Sequence, residues 1–318
     1  MPAMQSHGTF LTVVFSAAAA CWLGWPTAVD RPDAGPSADE ARARAVARAE
    51  RSLAWADDES RGCVAVELAP LEEFFADVKT RTPQFADGVL GWGSKWRFVA
   101  DKLPFAKGGR HAEFLRQAFK EQLFAPEDLS RAIEQVARGY GDSLTEIENQ
   151  MLLKLREDLS DLPPGTLPHF ADPAALSAAY RAALQRTAAH IGSDLKGDVS
   201  REVVSLIAGE VLAQVAVRLG VSAGILGAGA SSSWATLGAG LVVGLIVDQL
   251  VSWIWDWWAD PRGNLAAELN ARLDALRAMI VDGDADAPGM RSALEDFGRR
   301  RAELRRAAVL DLLKNQGM

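Results

Sequence analysis

The residues with the clearest chemical pattern are polar side chains that recur at every fourth position inside an apolar stretch, Val203 to Trp258. They are Glu210, Gln214 and Arg218 in the first arm of the stretch and Asp248, Ser252 and Asp256 in the second. A spacing of four places such residues on one face of a helix. Charged groups in apolar surroundings pair with one another or line a path for ions or protons. The pattern therefore predicts an intramembrane polar row.

A hairpin centred on Ser233 would bring the two arms face to face. The facing pairs are then Arg218 with Asp248, Gln214 with Ser252, and Glu210 with Asp256. A lone charge at the middle of a bilayer costs at least about 2.5–3.5 kcal/mol, so the arginine and its aspartate each need the other. The like-charged pair must be hydrated, share a proton or meet a cation. These residues either join the two helices or, in an oligomer, line a water or ion path.

Glycines in the same stretch are spaced for close contact between helices. Gly220 and Gly224 form one G-x-x-x-G motif, and Gly240 and Gly244 form another. Without Cβ atoms two helix backbones can approach closely, which is how helices associate in lipid. Because each glycine weakens a water-soluble helix by about 1 kcal/mol, this glycine zipper favours a transmembrane hairpin.

Tryptophans mark both ends of the second arm. Trp234 lies at the tip, and Trp253, Trp255, Trp257 and Trp258 lie at the far end. The separation is roughly 28–36 Å along a helix, which matches one bilayer with an aromatic belt at each interface. The alternative is that a hairpin apolar on all sides forms the buried core of a larger helical bundle.

The N-terminal apolar segment, Phe10 to Trp25, predicts membrane targeting. Ala18–Ala20 offers the cleavage site of a signal peptide, whereas Trp22 and Pro26 suit the end of an uncleaved anchor. Residues 1–9 contain no Lys or Arg, so the positive region of a signal peptide is missing. Both alternatives direct the chain to a bacterial inner (plasma) membrane, and they leave open the side on which the bulk of the protein lies.

Long amphipathic helices are predicted for the rest of the chain. From Pro126 to about Leu159, apolar residues recur at steps of three or four, close to a coiled-coil heptad, which indicates packing within the chain or between chains. Pro173 begins another helix, and Leu265–Val281 and Met290–Leu313 are amphipathic.

Shorter helices are predicted for the segment before residue 126. A polar helix is expected from Ser37 to about Asp58, followed by an irregular region over 61–108 in which Pro70 begins a helix. A further helix, with apolar residues on one face, is predicted from Gly109 to Phe124.

The predicted fold is all-α, with long amphipathic helices and a Gly-rich transmembrane helical hairpin. Its parts are a signal peptide or anchor (1–30), an α-helical domain (31–200), the hairpin (201–259) and a C-terminal helical tail (260–318). A hydrophobic hairpin between long amphipathic helices resembles, in outline, the α-helical pore-forming toxins. That resemblance is architectural and implies a pore-forming alternative.

Catalytic and metal-binding constellations are missing from the sequence. The four histidines stand apart from one another and from other ligands, and the two cysteines, Cys21 and Cys63, exclude a disulfide framework and a cysteine-based zinc site. Asp282 and Asp284 imitate the start of a calcium loop, but Ala287 occupies the position that requires glycine. We therefore expect an acidic interhelical turn there, no metal, no cofactor and no enzyme activity.

Charge patterning indicates the expected partners. The net charge of −8 argues against nucleic acid. Five arginines cluster on the last helix and form either a solvated face or a contact with anionic lipid headgroups: Arg299, Arg300, Arg301, Arg305 and Arg306. The expected function is a scaffolding or assembly role in the lipid bilayer, with copies associating through the hairpin. The alternative is an oligomeric pore or channel.

Overall fold

The computed structural model describes residues 38–91, 110–161, 170, 172–191, 199–207, 211–219, 234–259, 264–285 and 287–314. The regular elements within these ranges are all α-helices, which confirms the all-α class. In chain order they are α1 (Ala38–Leu90), α2 (Arg110–Gln122), α3 (Pro126–Asp158), α4 (Pro173–Ile191), α5 (Val199–Leu206), α6 (Leu212–Arg218), α7 (Trp234–Ala259), α8 (Leu265–Val281) and α9 (Met290–Lys314).

Helix α1 is the longest element and runs without a break through a region expected to be irregular. Its 53 residues extend over about 80 Å and include Pro70 and Pro83. Proline removes one backbone donor and disfavours a helix interior. The apolar stripe nevertheless continues across Pro70 at helical spacing, through Val64, Leu68, Leu71, Phe75 and Val78, all of them buried. Burial of this stripe outweighs the local cost, and the expected helix end near Asp58 was wrong.

Helix α3 lies antiparallel to α1. Near the start of α1, Arg48 donates to the carbonyl of Asp158 and pairs with Asp161 at the far end of α3. Further along α1, Glu67 accepts a hydrogen bond of 2.7 Å from Ser143, nearer the start of α3. The apolar stripe of α3 is buried within the chain, as the first of the two packing alternatives predicts.

Helices α8 and α9 lie one after the other along α1. Asp274 of α8 accepts a hydrogen bond of 2.6 Å from Lys79, in the second half of α1. Arg305 of α9 donates one of 2.6 Å to Asp57, in the first half. The two amphipathic helices predicted for the end of the chain are confirmed, and they pack against its first described helix.

The turn between α8 and α9 depends on a glycine. Gly283 has φ of +69°, and a Cβ there would lie 2.1 Å from the backbone nitrogen of Gly289. Only glycine adopts this conformation at low cost in so tight a space. Beside it, Asp282 pairs with Arg277 at 2.9 Å and with Arg291 at 3.5 Å. The aspartate-rich segment is thus an interhelical turn held by arginines.

Helix α7 packs against α2, α3 and α6. One side of it is buried in the core: Val243, Ile246, Val247, Leu250, Val251, Ile254 and Trp257. Within the described part of the chain, no helix is both long enough and apolar enough to cross a bilayer. The transmembrane hairpin therefore stays a proposal, as do the part boundaries at residues 200 and 260.

Two apolar cores follow one another along α1, α3 and α9. The first contains Val64, Leu144 and Phe297, and the second contains Ala56, Met151 and Leu304. On each of the three helices, polar residues that are buried or, for Asp57, half-buried lie near the boundary of the two cores. We call these residues the polar layer: Asp57 and Ser60 of α1, Glu148 of α3, and Arg301 and Arg305 of α9.

Candidate functional site

The predicted polar residues of α7 lie on its outward side. Asp248, Ser252 and Asp256 are exposed, and Gly244 is partly exposed. A Cβ built on Gly244 meets no atom within 4 Å. We call these four residues the α7 row. The row presents small and polar groups away from the core, so its glycine makes no close helix contact with the described part of the chain.

The structure gives each member of the predicted pair Arg218–Asp248 a different partner. The Asp248 carboxylate accepts a hydrogen bond of 3.1 Å from Nε of Arg116 in α2. Arg218 donates two hydrogen bonds, of 2.5 and 2.6 Å, to the carboxylate of Asp284 in the α8–α9 turn. These contacts tie α7 to α2, and α6 to the α8–α9 turn.

The remaining predicted site residues are only partly described. Gln214 is half-buried, and its Oε1 atom has no hydrogen-bond partner among the described residues. Its predicted partner, Ser252, is exposed on α7. Gly240 lies within α7. Glu210, Gly220 and Gly224 lie outside the described residues, as does the N-terminal segment 10–25.

Two tryptophans at the end of α7, Trp253 and Trp257, pack against other parts of the bundle. The Trp257 side chain is buried in the first core. The guanidinium of Arg272 in α8 lies 4.5 Å from the ring centre of Trp253, the geometry of a cation–π contact. These two rings therefore help to hold α7 and α8 in the bundle.

A buried ion pair between α3 and α9 is the centre of the polar layer. Arg301 donates hydrogen bonds of 2.7 and 2.9 Å to the two carboxylate oxygens of Glu148, and both side chains are only 7% exposed. Burial by itself lowers the pKa of Arg301, but the bonds and charge of Glu148 outweigh burial and raise it. A guanidinium buried in this way needs its hydrogen-bonded carboxylate beside it.

Arg305 forms the second part of the polar layer, between α1 and α9. Its side chain is 0% exposed and pairs with Asp57. Ser60 lies 3.4 Å from the same guanidinium, and its hydroxyl donates to the carbonyl of Ala56 at 2.6 Å. The Nε–H of Arg305 has no partner among the described residues. The hydrogen-bonding capacity of this buried arginine is therefore only partly used by the described residues.

Tyr140 of α3 borders the polar layer. It is fully buried, and its hydroxyl has no hydrogen-bond partner in the described part of the chain. A Cβ on Gly298 of α9 would lie 2.3 Å from that hydroxyl oxygen, so glycine is what admits the tyrosine. Burial, the largest cause, raises the pKa of Tyr140.

Cys63 lies beside this tyrosine and is half-buried. Burial, with a smaller effect from the negative charge of Glu67, raises the pKa of its thiol to about 11. Nucleophilic cysteines instead have lowered pKa values because cations surround them. At neutral pH the thiol of Cys63 is therefore protonated and unreactive.

A groove of about 540 Å³ opens between α1 and α9 over Tyr140. Its lining residues are Asp57, Ser60, Arg61, Tyr140, Glu295, Gly298, Arg299, Ala302, Glu303 and Arg306. The α9 members recur at steps of three and one, and thus occupy one side of that helix. Among the residues that the structure describes, no three or more His, Cys, Asp or Glu side chains are grouped to hold a metal ion.

The arginine cluster predicted for the last helix is divided by the fold. Arg301 and Arg305 are buried in the polar layer, whereas Arg299, Arg300 and Arg306 are exposed. The prediction that all five arginines form a solvated face was therefore wrong for Arg301 and Arg305. The missed signal is periodicity, since residues 301 and 305 continue the buried positions of α9 at helical spacing.

Comparison of the chain with protein-family models, curated proteins and solved structures finds no match.

Proposed function

We propose that the protein is a non-catalytic scaffolding or assembly protein of a membrane, and that its copies associate through the α7 row. The observation that carries this proposal is the outward placement of Gly244, Asp248, Ser252 and Asp256, with open space at the glycine. Small residues let two helices approach closely, and polar residues beside them can hydrogen-bond across the contact.

The bundle of α1, α3 and α9 suits a scaffold. Helix α1 is about 80 Å long, and two other helices lie along it in succession. Buried ion pairs give little stability beyond that of apolar packing, but they can fix how helices align. The Glu148–Arg301 pair joins α3 to α9, and the Asp57–Arg305 pair joins α1 to α9. A scaffold needs this fixed alignment.

Attachment to lipid is the second element of the proposal. The apolar segment 10–25, together with the apolar residues of 203–258, would hold the protein at a bacterial inner membrane. The exposed arginines Arg299, Arg300 and Arg306 would contact anionic headgroups, Arg299 and Arg306 beside the carboxylates of Asp296 and Glu50 with which they pair. Extraction of membranes with alkaline carbonate tests this element. Retention of the full chain in the membrane pellet is expected, and release into the supernatant would refute it.

A matched pair of glycine variants tests assembly through the α7 row. Gly244→Leu places a bulky side chain in the row, and Gly62→Leu does the same at an exposed α1 glycine that also has open space around its Cβ. In sedimentation velocity of the full chain in nonionic detergent, we expect Gly244→Leu to shift oligomers to monomers and Gly62→Leu to leave them intact. Equal behaviour of the two variants would refute assembly through this row.

A pore or channel is the alternative function, and the exposed carboxylates of the α7 row favour it. Asp248 and Asp256 would line a shared path if several copies met along this face. Conductance across liposomes separates the alternatives. A scaffold gives no current, whereas a pore conducts and loses cation preference in Asp248→Asn.

A further inference from the structure

The two carboxylates of the α7 row differ in their ionic contacts. Asp248 pairs with Arg116 of α2, whose Nε lies 3.1 Å from a carboxylate oxygen. Asp256, about two turns further along α7, is exposed and forms no ion pair with the described part of the chain. Helix α7 itself contains no Lys or Arg, and Arg272 of α8 lies over the ring of Trp253. Among the described residues, the row is thus paired with arginine at Asp248 and not at Asp256.

Arg116 can bind a further carboxylate. Its Nε donates to Asp248, and its Nη1 donates a hydrogen bond of 3.0 Å to Glu113, one turn earlier on α2. A guanidinium has five N–H donors in a planar fork, and the Nη2 group of Arg116 donates to no residue in the ranges that the structure describes. Because the side chain is 39% exposed, an acceptor of another molecule can reach these donors.

A second copy of the row supplies such an acceptor in one of two orientations. In a parallel pair each residue faces its own counterpart, so two Asp256 carboxylates lie together without a bonded cation, and like charges in contact disfavour association. In an antiparallel pair with a two-fold axis at Ser252, residues equally far before and after the axis face each other. Asp256 of each copy then lies against Asp248 of the other, where Arg116 is present.

Contact with the guanidinium decides the sign of this interaction. The carboxylates of Glu113 and Asp248 also lie nearby, but their side chains are 70% and 56% exposed, so water and salt weaken their repulsion. A hydrogen bond between a guanidinium and a carboxylate acts at contact and is roughly twice as strong as a neutral one. The antiparallel orientation is therefore the one in which the charges of two rows complement each other.

We propose that two copies pair through the α7 row in antiparallel orientation, with Arg116 of each copy bound to Asp256 of the other. This inference rests on the association proposed above and adds its orientation and its ionic contact. Ser252 lies on the axis, opposite its own counterpart, and Gly244 lies against the end of α7 of the second copy, at Ala259. The open space around Gly244 admits that helix end.

The sign of one charge effect distinguishes the two orientations. Asp256→Asn removes an acceptor of Arg116 from an antiparallel pair, and the two exposed ion pairs lost per dimer should raise its Kd about two- to thirtyfold. In a parallel pair the same variant removes a repulsion and lowers Kd. Arg116→Gln should raise Kd at least as much, and Glu73→Gln, at an exposed α1 glutamate outside the row, should leave it unchanged. Sedimentation velocity of the full chain in nonionic detergent measures Kd.

Disulfide formation between copies tests the orientation directly. In a chain that lacks Cys21 and Cys63, Ser252→Cys should form a disulfide with its own counterpart under mild oxidation. Asp248→Cys and Asp256→Cys should each fail to do so, because an antiparallel pair separates like positions by about 12 Å along the helix axis, beyond the reach of a disulfide. A mixture of these two variants should cross-link.

The outcomes separate this inference from the association on which it rests. A monomeric parent chain with no disulfide at position 252 would refute both. With a dimeric parent chain, the antiparallel orientation alone is overturned if Asp248→Cys or Asp256→Cys cross-links with its own counterpart as fast as Ser252→Cys. It is equally overturned if Asp256→Asn or Arg116→Gln keeps the helical circular dichroism signal of the parent and leaves Kd unchanged or lowers it.

Discussion

The polar layer and the α7 row place charges in opposite environments. Helix α9 is rich in charge, yet Arg305 is 0% exposed and Arg301 only 7% exposed. Helix α7 is predominantly apolar, yet the side chain of Asp248 is 56% exposed. The position of a residue in the helical repeat, and not the composition of its helix, decides which charges are buried.

The two regions should therefore respond very differently to the loss of a charge. Removal of one partner of a buried ion pair leaves the other charge without compensation in the interior. At an exposed pair, water solvates the remaining group. The predictions below test this contrast in order of decreasing effect.

The largest effect is expected from Glu148→Ala in the polar layer. This variant leaves Arg301 buried without its hydrogen-bonded carboxylate and should lower the free energy of unfolding by about 3–5 kcal/mol. Asp58→Ala, at the exposed pair with Arg61, should change it by less than about 1 kcal/mol. Urea denaturation followed by circular dichroism measures both.

A double variant sharpens that test. Glu148→Leu combined with Arg301→Met replaces the pair by apolar groups, and it should recover most of the lost stability. If the double variant is as unstable as Glu148→Ala, apolar volume rather than charge compensation sets the stability of this layer.

A second effect is expected at the contact between α3 and α9. Gly298→Ala places a Cβ 2.3 Å from the hydroxyl of Tyr140 and should destabilise the fold by about 1–3 kcal/mol. Gly62→Ala, at an open helical position, should instead stabilise it by up to about 1 kcal/mol. Tyr140→Phe should rescue Gly298→Ala, because the next tyrosine atom lies 3.7 Å away. Thermal unfolding that ranks the two glycine variants the other way would contradict the described packing.

Tyr140→Phe alone should have a smaller effect of opposite sign. It removes a buried hydroxyl that has no partner in the described part of the chain, so we expect unchanged stability or a gain of about 1 kcal/mol. Urea denaturation is the measurement. A loss above about 1 kcal/mol would mean that the hydroxyl is already satisfied.

The smallest effect concerns acid stability at the junction of α1 and α8. The hydrogen bond from Arg277, more than the charges nearby, lowers the pKa of Glu72. A lowered carboxyl pKa contributes stability above the pKa of the unfolded chain, and this contribution is lost as pH falls through the folded-state value. We expect Glu72→Gln to reduce the loss of stability on acidification below about pH 4.5 and to change little near neutrality. Identical pH profiles of the melting temperature would contradict this role.

Helices with continuous apolar periodicity could be predicted from the sequence. Those that begin at Pro126, Pro173, Leu265 and Met290 all form. The continuity of α1 could not be predicted from the sequence. Proline disfavours a helix locally, and only long-range packing outweighs that preference. The spacing of four did predict that Asp248, Ser252 and Asp256 share a side of α7.

The partners of these groups could not be predicted from the sequence. Spacing within a segment says nothing about Arg116 or Asp284, which approach from helices and turns far along the chain. The polar layer was missed for a different reason. Arginines in a charge-rich helix are typical of a solvated face, and that expectation concealed the helical spacing by which positions 301 and 305 belong to the buried side of α9.

The orientation of α7 is the central claim, and the rate of thiol labelling measures it most directly. In a chain that lacks Cys21 and Cys63, Ser252→Cys places a thiol in the α7 row, and Leu250→Cys places one on the buried side. We predict that a maleimide labels the monomeric full chain in nonionic detergent at least about tenfold faster at 252, since a buried thiol reacts only through local opening. Equal rates, or faster labelling at 250, would contradict the account.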